Sequence, residues 1–305
     1  MDNIQKHLLE QVADLHDVPQ GAYSLRINGA LHGKNSSENI EIVKKEDKPG
    51  IDIYVKPGTK KESVHIPVLL SQTGIKELVY NDFHIGEDCD ITIVAGCGIH
   101  NGGDETSEHS GVHAFYLAKN AKLKYVEKHY GSGDGKGKRV MNPTTIIELA
   151  EGAYMEMETA QIKGVDDTIR ETTAKLAEGA TLIVGEKLMT HGDQYAETRF
   201  TVDLDGKNSG AHVVSRSVAK DNSKQLFVSH VNGNNECSGH TECDAIIMDN
   251  ASVSAVPEIM ANHTDAQLIH EAAIGKIAGE QLIKLMTLGL TEKEAEEEII
   301  NGFLK

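Results

Sequence analysis

Large aromatic side chains are scarce in this sequence. Its 305 residues include no tryptophan, and aromatic residues make up only 4% of the chain. Hydrophobic residues still reach 39%, which is enough for a sizeable core built from small and branched side chains. Thin, regular layers suit such a core better than a bulky globular interior, and the 29 glycines indicate many turns.

The charge balance and the lack of long apolar runs exclude two kinds of partner. Lysine and arginine total 30 against 47 acidic residues, which gives a net charge of −17. A field of that sign repels nucleic-acid phosphates and anionic lipid. No apolar run approaches the roughly 18 residues that span a bilayer, and the acidic N-terminus has no secretion-signal core. We therefore expect a cytoplasmic protein with no nucleic-acid and no membrane partner.

Common catalytic motifs are also missing. The sequence contains no GxxxxGK[ST] phosphate-binding loop, no GxSxG nucleophile elbow and no HExxH zinc site. The stretch GSGDGKGKRV at 131–140 is rich in glycine and lysine but lacks the phosphate-loop spacing, and it predicts a flexible basic loop. We therefore expect neither an ATPase nor a common hydrolase.

An internal repeat is the most informative pattern in the sequence. A turn pair is followed by alanine and then by a strand whose apolar residues fall two apart, and a looser copy is KNSGAHVV at 207. Short strands on a recurring turn predict a solenoid of stacked β-coils, although a β-sandwich built from hairpins is the alternative. The five clear copies are KNAKLKYV at 119, EGAYMEME at 151, EGATLIVG at 178, DNASVSAV at 249 and TDAQLIHE at 264.

Helical patterns occur only at the two ends of the chain. Residues Ile4, Leu8 and Val12 recur at helical spacing before Pro19 and predict one short N-terminal helix, followed by strands and turns over 20–60. A second helical stripe begins at Ile274, with Gly289 placed to end it. Thr291 and Glu294 form a capping-box signature for a last helix, so we expect a C-terminal helical hairpin.

Potential metal ligands gather in two polar segments. The segment 97–113 carries Cys97, His100, His109 and His113, and thiolate and imidazole ligands in a glycine-rich loop suit iron or zinc. A polar surface loop is the alternative for this segment. The segment 230–243 carries His230, Cys237, His240 and Cys243 across a glycine turn. The strand phase of Cys243 also fits a plain core thiol, as that of Cys89 does, whereas Cys237 is predicted in a polar loop. Disulfides are not expected among the four cysteines.

Two further positions combine a histidine with a carboxylate. Glu127 and His129 continue the core phase of the strand that starts at Ala121, and buried charges need partners or a function. The alternative is that the strand ends at Tyr125 and leaves both in a loop. His270 and Glu271 stand before the C-terminal helices and form either a metal-ligand pair or a helix start beside a satisfied histidine.

The C-terminal run from ECDAIIMDNASVSAVPEIM through IHEAAIGKIAGEQLIKLMTLGLTEKEAEEEIINGFL resembles the C-terminal signature of the SufB/SufD family, the scaffold subunits of the SUF iron–sulfur assembly system. The likeness extends more weakly back through HAFYLAKNAKLKYVEKHYG and does not reach the first 60 or so residues. It implies a mainly β protein with a right-handed parallel β-helix core. We expect an N-terminal helix and strands over 1–60, the β-helix over 61–268 and a C-terminal helical segment over 269–305.

The resemblance also implies function and partners. It implies an assembly scaffold, not an enzyme, whose C-terminal segment docks a SufC-like ABC ATPase. It further implies pairing with a second scaffold chain, here as a homodimer, and delivery of clusters to apo iron–sulfur acceptor proteins. The chain resembles a compact archaeal or anaerobe-type SufB-like form, in which one scaffold serves for both family members.

One departure from the family bears on the cluster. SufB proteins carry a cysteine just before the Pro-x-Ile of the signature, where this chain has Ala251 and Ser252. We therefore expect the cluster, a transiently bound [4Fe–4S], to be held elsewhere. A cluster-free SufD-like partner and a β-helical metalloenzyme acting on carbohydrate or a small polar substrate are the alternatives. The expected ligands are Cys97, Cys237, Cys243 and His100, with Glu127, His129, His240, His270 and Glu271 as further candidates.

Overall fold

Strands dominate the computed structural model, which describes all residues from 1 to 305. About 58% of the chain is strand and 10% is helix, and the strands wind into a β-solenoid of about eight turns. The predicted parallel β-helix with helices at its two ends is therefore confirmed. The helices are α1 (Asn3–Ala13), α2 (Gly279–Thr287) and α3 (Glu292–Phe303).

The strands form two sheets that face each other across the core. Sheet A contains, in spatial order, β2 (Ala30–Asn35), β1 (Ala22–Ile27), β5 (Lys60–Leu70), β7 (Asp90–His100), β9 (Lys122–Ser132), β12 (Tyr154–Lys163), β14 (Thr181–Thr190), β16 (Ser209–Ala219), β18 (Cys237–Ile247) and β20 (Gln267–Gly275). Sheet B contains β19 (Ser252–Ala261), β17 (Lys224–Gly233), β15 (Tyr195–Leu204), β13 (Asp167–Leu176), β10 (Arg139–Met141), β8 (Ser107–Leu117), β6 (Lys76–Ile85), β4 (Gly50–Val55) and β3 (Ile40–Lys44). The remaining strand, β11 (Thr144–Leu149), lies with β10 between β8 and β13.

From β5 onward the chain alternates between the sheets, with β10 and β11 together taking one place in sheet B, and equivalent residues stack in parallel register. Leu123 pairs with Met155, Met155 with Leu182, and Leu182 with Ala211. Because side chains alternate between the two faces of a strand, every second residue enters the interior. The resulting core of small and branched side chains matches the low aromatic content.

The repeated alanines occupy one structural position. Each lies immediately before a strand, and its backbone N–H donates to the carbonyl three residues earlier, as from Ala121 to Ala118 at 3.1 Å. The preceding residue is in the left-handed region at Asn120 (φ 56°), Gly152 (φ 67°) and Gly179 (φ 64°), which explains the Asn or Gly in those three copies. The same bond is made by Ala153, Ala180, Ala251 and Ala266.

Helix α1 packs on the outer face of sheet A across β7. Leu8 and Val12 are fully buried there, and the strand presents Gly96 and Gly98 to them. A Cβ on Gly96 would come within 2.6 Å of the Val12 carbonyl oxygen. The two glycines therefore permit the close approach that buries this helix.

At the opposite end the solenoid stops on two open strand edges. β20 ends sheet A and β19 ends sheet B, and neither has a further neighbour in the chain. Most of their residues are exposed, including Val256 (49%), Met260 (44%) and Ile269 (54%). Exposed apolar side chains on an unpaired edge offer a surface for another chain.

The C-terminal helices differ in one respect from the sequence prediction. The helical stripe predicted from Ile274 is wrong at its start. Ile274 lies in β20, where it pairs with Ala245 of β18, and α2 begins only at Gly279. The end of α2 before Gly289 is confirmed, as is the capping box, in which the Glu294 N–H donates to Thr291 Oγ1 at 3.3 Å. None of the three helices has the length and hydrophobicity of a membrane-spanning segment.

Candidate functional site

The three cysteines expected to share a cluster lie far apart within one chain. Cys97 lies on β7 and Cys237 and Cys243 lie on β18, five strand positions away in sheet A. At about 4.8 Å per strand, the separation is roughly 24 Å. Cys237 and Cys243 are themselves roughly 20 Å apart, because they are six residue steps apart along an extended strand. These thiols therefore cannot ligate one cluster within a chain.

Two local predictions about these residues are corrected by the structure. The segment 97–113 is not a single loop, because Cys97 and His100 lie on β7, and His109 and His113 lie on β8. Cys237 opens strand β18 and is buried, because it joins the solenoid core instead of a polar loop. All four cysteines are free thiols with buried side chains, as Cys243 and Cys89 were expected to be.

A charged cluster fills the interior near the middle of the solenoid. Glu127 and His129 are 3% and 6% exposed, so the strand runs past Tyr125 and the core placement is confirmed. Arg170 of β13 meets them from the opposite sheet: its Nη1 donates to Glu127 Oε2 at 2.5 Å and its Nη2 to His129 Nδ1 at 3.3 Å. Arg170 Nε also lies 3.7 Å from Glu186 Oε1. We call Glu127, His129, Arg170 and Glu186 the interior charge cluster.

Burial and pairing set the protonation of this cluster. Burial alone would raise the pKa of Glu127, but the charge of Arg170, with smaller contributions from its histidine neighbours, outweighs burial and holds that pKa well below the usual value. Burial lowers the pKa of His129. Glu186 also accepts hydrogen bonds from Thr198 (2.8 Å) and Ser215 (2.6 Å). The interior charges are thus compensated, as buried charges must be.

Cys97 lines a small internal cavity close to this cluster. The cavity has a volume of about 10 Å³, and its other polar walls are His109, His113, Glu127 and His129. His100 is not part of it, since this side chain ends β7 with its Nδ1 3.1 Å from Ser132 Oγ. Burial, with a contribution from Glu77 and Glu127, raises the pKa of Cys97 well above its usual value.

A second group of possible metal ligands lies on the last turn of the solenoid. His240, Glu242 and Glu271 each offer one ligand atom, and these atoms lie within 4.8 Å of one another. We call these three residues the terminal-rung cluster. His240 Nε2 is buried without a hydrogen bond, although Glu271 Oε2 is 3.4 Å away. Burial and the neighbouring Asp244 raise the pKa of Glu242. A nitrogen without a partner beside two carboxylates suits a cation.

The expected His270–Glu271 pair is divided between the two faces of β20. Thr241 is the register partner of His270, and its Oγ1 lies 2.7 Å from His270 Nδ1 on the inner face. Glu271 pairs with Glu242 on the outer face. Adjacent strand residues point to opposite faces, so Glu271 joins His240 whereas His270 does not.

Sequence reasoning missed several of these residues. Arg170, Glu186 and Glu242 lie in ordinary alternating strands, and their partners come from other turns. The inward phase of Arg170 between Thr168 and Thr172 was the available signal. His212 was also missed; it stacks on His240 with ring centroids 4.9 Å apart.

Burial keeps the thiols of the last turns protonated. It raises the pKa of Cys243 to about 12, with help from Glu186 and Asp244, and it raises that of Cys237 as well. A protonated thiol is a poor nucleophile and must lose its proton to bind metal. The structure therefore presents imidazole and carboxylate, not thiolate, at the exposed end.

The fold and site together define a parallel β-solenoid with a group of possible metal ligands at its open end. The family model for the SUF system FeS cluster assembly SufBD core domain matches residues 79–303. The chain therefore belongs to the SufBD family, and this membership supports a role in iron–sulfur cluster assembly.

Curated relatives agree with this family. The chain is 31% identical to an iron–sulfur cluster assembly SufBD family protein of Archaeoglobus fulgidus, over 89% of this chain and 72% of that protein. It is 30% identical to a Methanocaldococcus jannaschii protein of the same description, over 87% and 84% of the two chains. A Pyrococcus horikoshii relative is 29% identical over 89% and 83%.

Proposed function

We propose that this chain is the scaffold on which iron–sulfur clusters are assembled and handed to acceptor proteins, with ATP hydrolysis supplied by a separate SufC-like ABC ATPase. The observation that carries the proposal is the terminal-rung cluster. It lies within the residues matched by the family model and beside an unpaired strand edge. The iron–sulfur cluster is cargo in this proposal, and the chain itself catalyses no reaction.

The terminal-rung cluster suits temporary binding of iron. Imidazole and carboxylate both bind iron, whereas thiolates hold iron–sulfur clusters more firmly. A [4Fe–4S] cluster needs about four protein ligands, and the terminal-rung cluster offers three possible ligands per chain. Ligands from a second chain would complete the set, and the absence of thiolate would leave the product easy to transfer.

Pairing through β20 would supply that second chain. A two-fold axis pairs identical strands in antiparallel fashion, and Glu271 is the fifth of the nine residues of β20. Symmetric pairing about the strand centre therefore places the two Glu271 residues opposite each other. The exposed Ile269 and Ile274 would be covered at the same time.

The C-terminal helices are the proposed docking site for the ATPase. Helix α2 buries none of its residues against the solenoid. Ile283 is 62% exposed, and Leu288, just after the helix, is 76% exposed. Apolar side chains at this exposure suit a helix-to-groove contact with a partner protein.

The first test is anaerobic co-purification with the candidate ATPase, followed by iron and acid-labile sulfide analysis. Co-elution with stoichiometric iron and sulfide supports the scaffold, and co-elution without iron indicates a SufD-like partner instead. No co-elution together with a different bound metal would indicate the metalloenzyme. In the scaffold case Glu271→Gln should lose most of the iron and sulfide. The matched control Asp265→Asn, an exposed acid just before β20, should retain both.

Two surface variants test the proposed partners separately. Ile269→Lys places a charge on the β20 edge and should convert a dimer to a monomer in light scattering. Ile283→Asp should abolish ATPase co-elution without changing the scaffold's own mass. A dimer that survives Ile269→Lys would refute the edge pairing, and co-elution that survives Ile283→Asp would refute docking on α2.

A further inference from the structure

A polar groove runs along the side of the solenoid where the chain crosses from sheet A to sheet B. The connection from β9 to β10 spans residues 133–138, whereas the next two such connections span only 164–166 and 191–194. The longer connection therefore projects as a wall beside the shorter ones. The groove has a volume of about 630 Å³, and residues of all three connections line it.

The wall of this groove packs on the connection of the preceding turn. Gly135 N–H donates to the Asn101 carbonyl at 3.1 Å, and Gly137 N–H donates to the Gly103 carbonyl at 2.9 Å. A Cβ on Gly137 would lie 2.1 Å from the Glu105 carbonyl oxygen. Glycine is thus required for this packing, and the lysines of the wall project from a backbone that is held in place.

The lining of the groove is polar and carries more cations than acids. Only one of its 16 residues is hydrophobic. The chain as a whole has a net charge of −17, so an excess of positive charge in one groove runs against the rest of the surface. The charged lining residues are the cations Lys136, Lys138, Arg139 and Lys163 and the acids Asp166 and Asp193.

Two of the four cations are already neutralised. Arg139 donates through Nε and Nη2 to the two oxygens of Asp166, at 2.7 Å and 3.0 Å. Lys138 Nζ lies 2.5 Å from Asp167 Oδ2. The remaining pair, Lys136 and Lys163, is exposed and makes no ion pair.

Two free ammonium groups on successive turns suit a small ligand with two anionic groups. Lysine binds phosphate as a point charge, and the nearly complete lack of apolar lining offers little contact to any other part of a ligand. A long polyanion would extend past the groove and meet the field of the acidic surface. A small anion stays within the Debye length, about 10 Å at 0.1 M salt, of both ammonium groups.

We propose that this groove binds a small molecule through a diphosphate or triphosphate group, with Lys136 and Lys163 as its cationic contacts. Asp193 borders the same groove and opposes the binding of an anion. The site lies on the connections that follow β9, β12 and β14, whereas the terminal-rung cluster lies on β18 and β20. It involves no metal ion and does not depend on the proposed function.

Isothermal titration calorimetry of the full chain with inorganic pyrophosphate, without divalent metal, tests the site. We expect one pyrophosphate per chain. The affinity should fall several-fold between about 0.01 M and about 0.1 M salt, because the Debye length shortens from about 30 Å to about 10 Å. Orthophosphate, which reaches only one ammonium group, should bind about fivefold more weakly. ADP should bind about as tightly as pyrophosphate, because the groove recognises the phosphates.

The variants separate the two lysines from the charge of the whole chain. The double variant Lys136→Gln, Lys163→Gln should weaken pyrophosphate binding at least about tenfold. The matched control Lys60→Gln, Lys224→Gln removes the same charge from exposed lysines outside the groove and should leave the affinity unchanged. Asp193→Asn should tighten binding about two- to fivefold, since it removes a repulsive charge.

Four results would overturn the site. These are no binding of pyrophosphate to the wild-type chain, equal affinities in the two double variants, binding of ADP without pyrophosphate, and a glutamate hexapeptide that binds as tightly as pyrophosphate. The last result would show a preference for acids in general. The assay contains neither iron nor sulfide, so its outcome is separate from that of the scaffold proposal.

Discussion

Replacing Arg170 by methionine tests whether the interior charge cluster is a tightly compensated unit. The change leaves Glu127 and Glu186 buried without their cation, and both side chains are at most 5% exposed. Breaking a buried ion pair by removing one partner costs about 3–5 kcal/mol. Methionine retains much of the apolar stem of arginine, so lost packing adds little. We therefore expect Arg170→Met to lower the free energy of unfolding by about 4 kcal/mol.

Urea unfolding followed by circular dichroism measures this loss. The matched control is Lys124→Met, because Lys124 also bridges two carboxylates, Glu156 at 3.2 Å and Glu158 at 2.8 Å, but on the solvent face. Exposed pairs contribute at most about 1 kcal/mol. Adding Glu127→Gln to Arg170→Met removes one uncompensated charge and should recover about 1–3 kcal/mol. A loss in Arg170→Met no larger than that in Lys124→Met would refute the reasoning.

Three other changes test separate features. Burial lowers the pKa of His113 from 6.5 to about 4. Between these values the unfolded chain binds the His113 proton and the folded chain does not, so protonation favours unfolding. The free energy of unfolding is therefore unaffected by His113 above pH 6.5 and falls by about 3 kcal/mol on going down to pH 4. Urea titrations should show a shallower pH dependence in His113→Gln and an unchanged one in the exposed control His263→Gln. Gly96→Ala should lower the free energy of unfolding by about 1–3 kcal/mol and speed amide exchange in α1, since the added Cβ would meet backbone on two sides. The control Gly185→Ala should have neither effect, because nothing lies within 4 Å of its added Cβ. The buried Cys243 thiol should resist iodoacetamide at neutral pH in the native protein and react in urea, and rapid native labelling seen by mass spectrometry would contradict its placement.

The parts of the fold that follow from local patterns were predictable. The alanine-led repeat predicted the solenoid because every clear copy makes the same backbone hydrogen bond at its alanine. The same alternation placed Glu127 and His129 in the interior, since the phase set by Ala121 continues without interruption. The helix start at Thr291 was readable because a capping box needs only two residues three apart.

The parts that depend on which turns stack were not predictable. A spacing of six positions from Cys237 to Cys243 suggests neighbours in a loop, but in a strand the same interval spans roughly 20 Å. His270 and Glu271 are adjacent in sequence but lie on opposite faces of the sheet, because successive side chains of a strand alternate between its faces. Arg170 reaches Glu127 across 43 residues of chain, and no local pattern predicts such a pairing. The apolar stripe at Ile274 resembled a helix because a short apolar run fits both periods.

The open end of the solenoid has a consequence for motion. In a repeat structure each turn is stabilised mainly by its immediate neighbours, so the whole behaves as a linear array. The N-terminal turns carry α1 over sheet A, whereas the final turn has a neighbour on one side only. Local unfolding therefore costs least at β19 and β20. Glu271 stands on the strand that can detach with the smallest disturbance, so a pull on the C-terminal helices would act on β20, and thus on Glu271, before it reached the other strands of the solenoid.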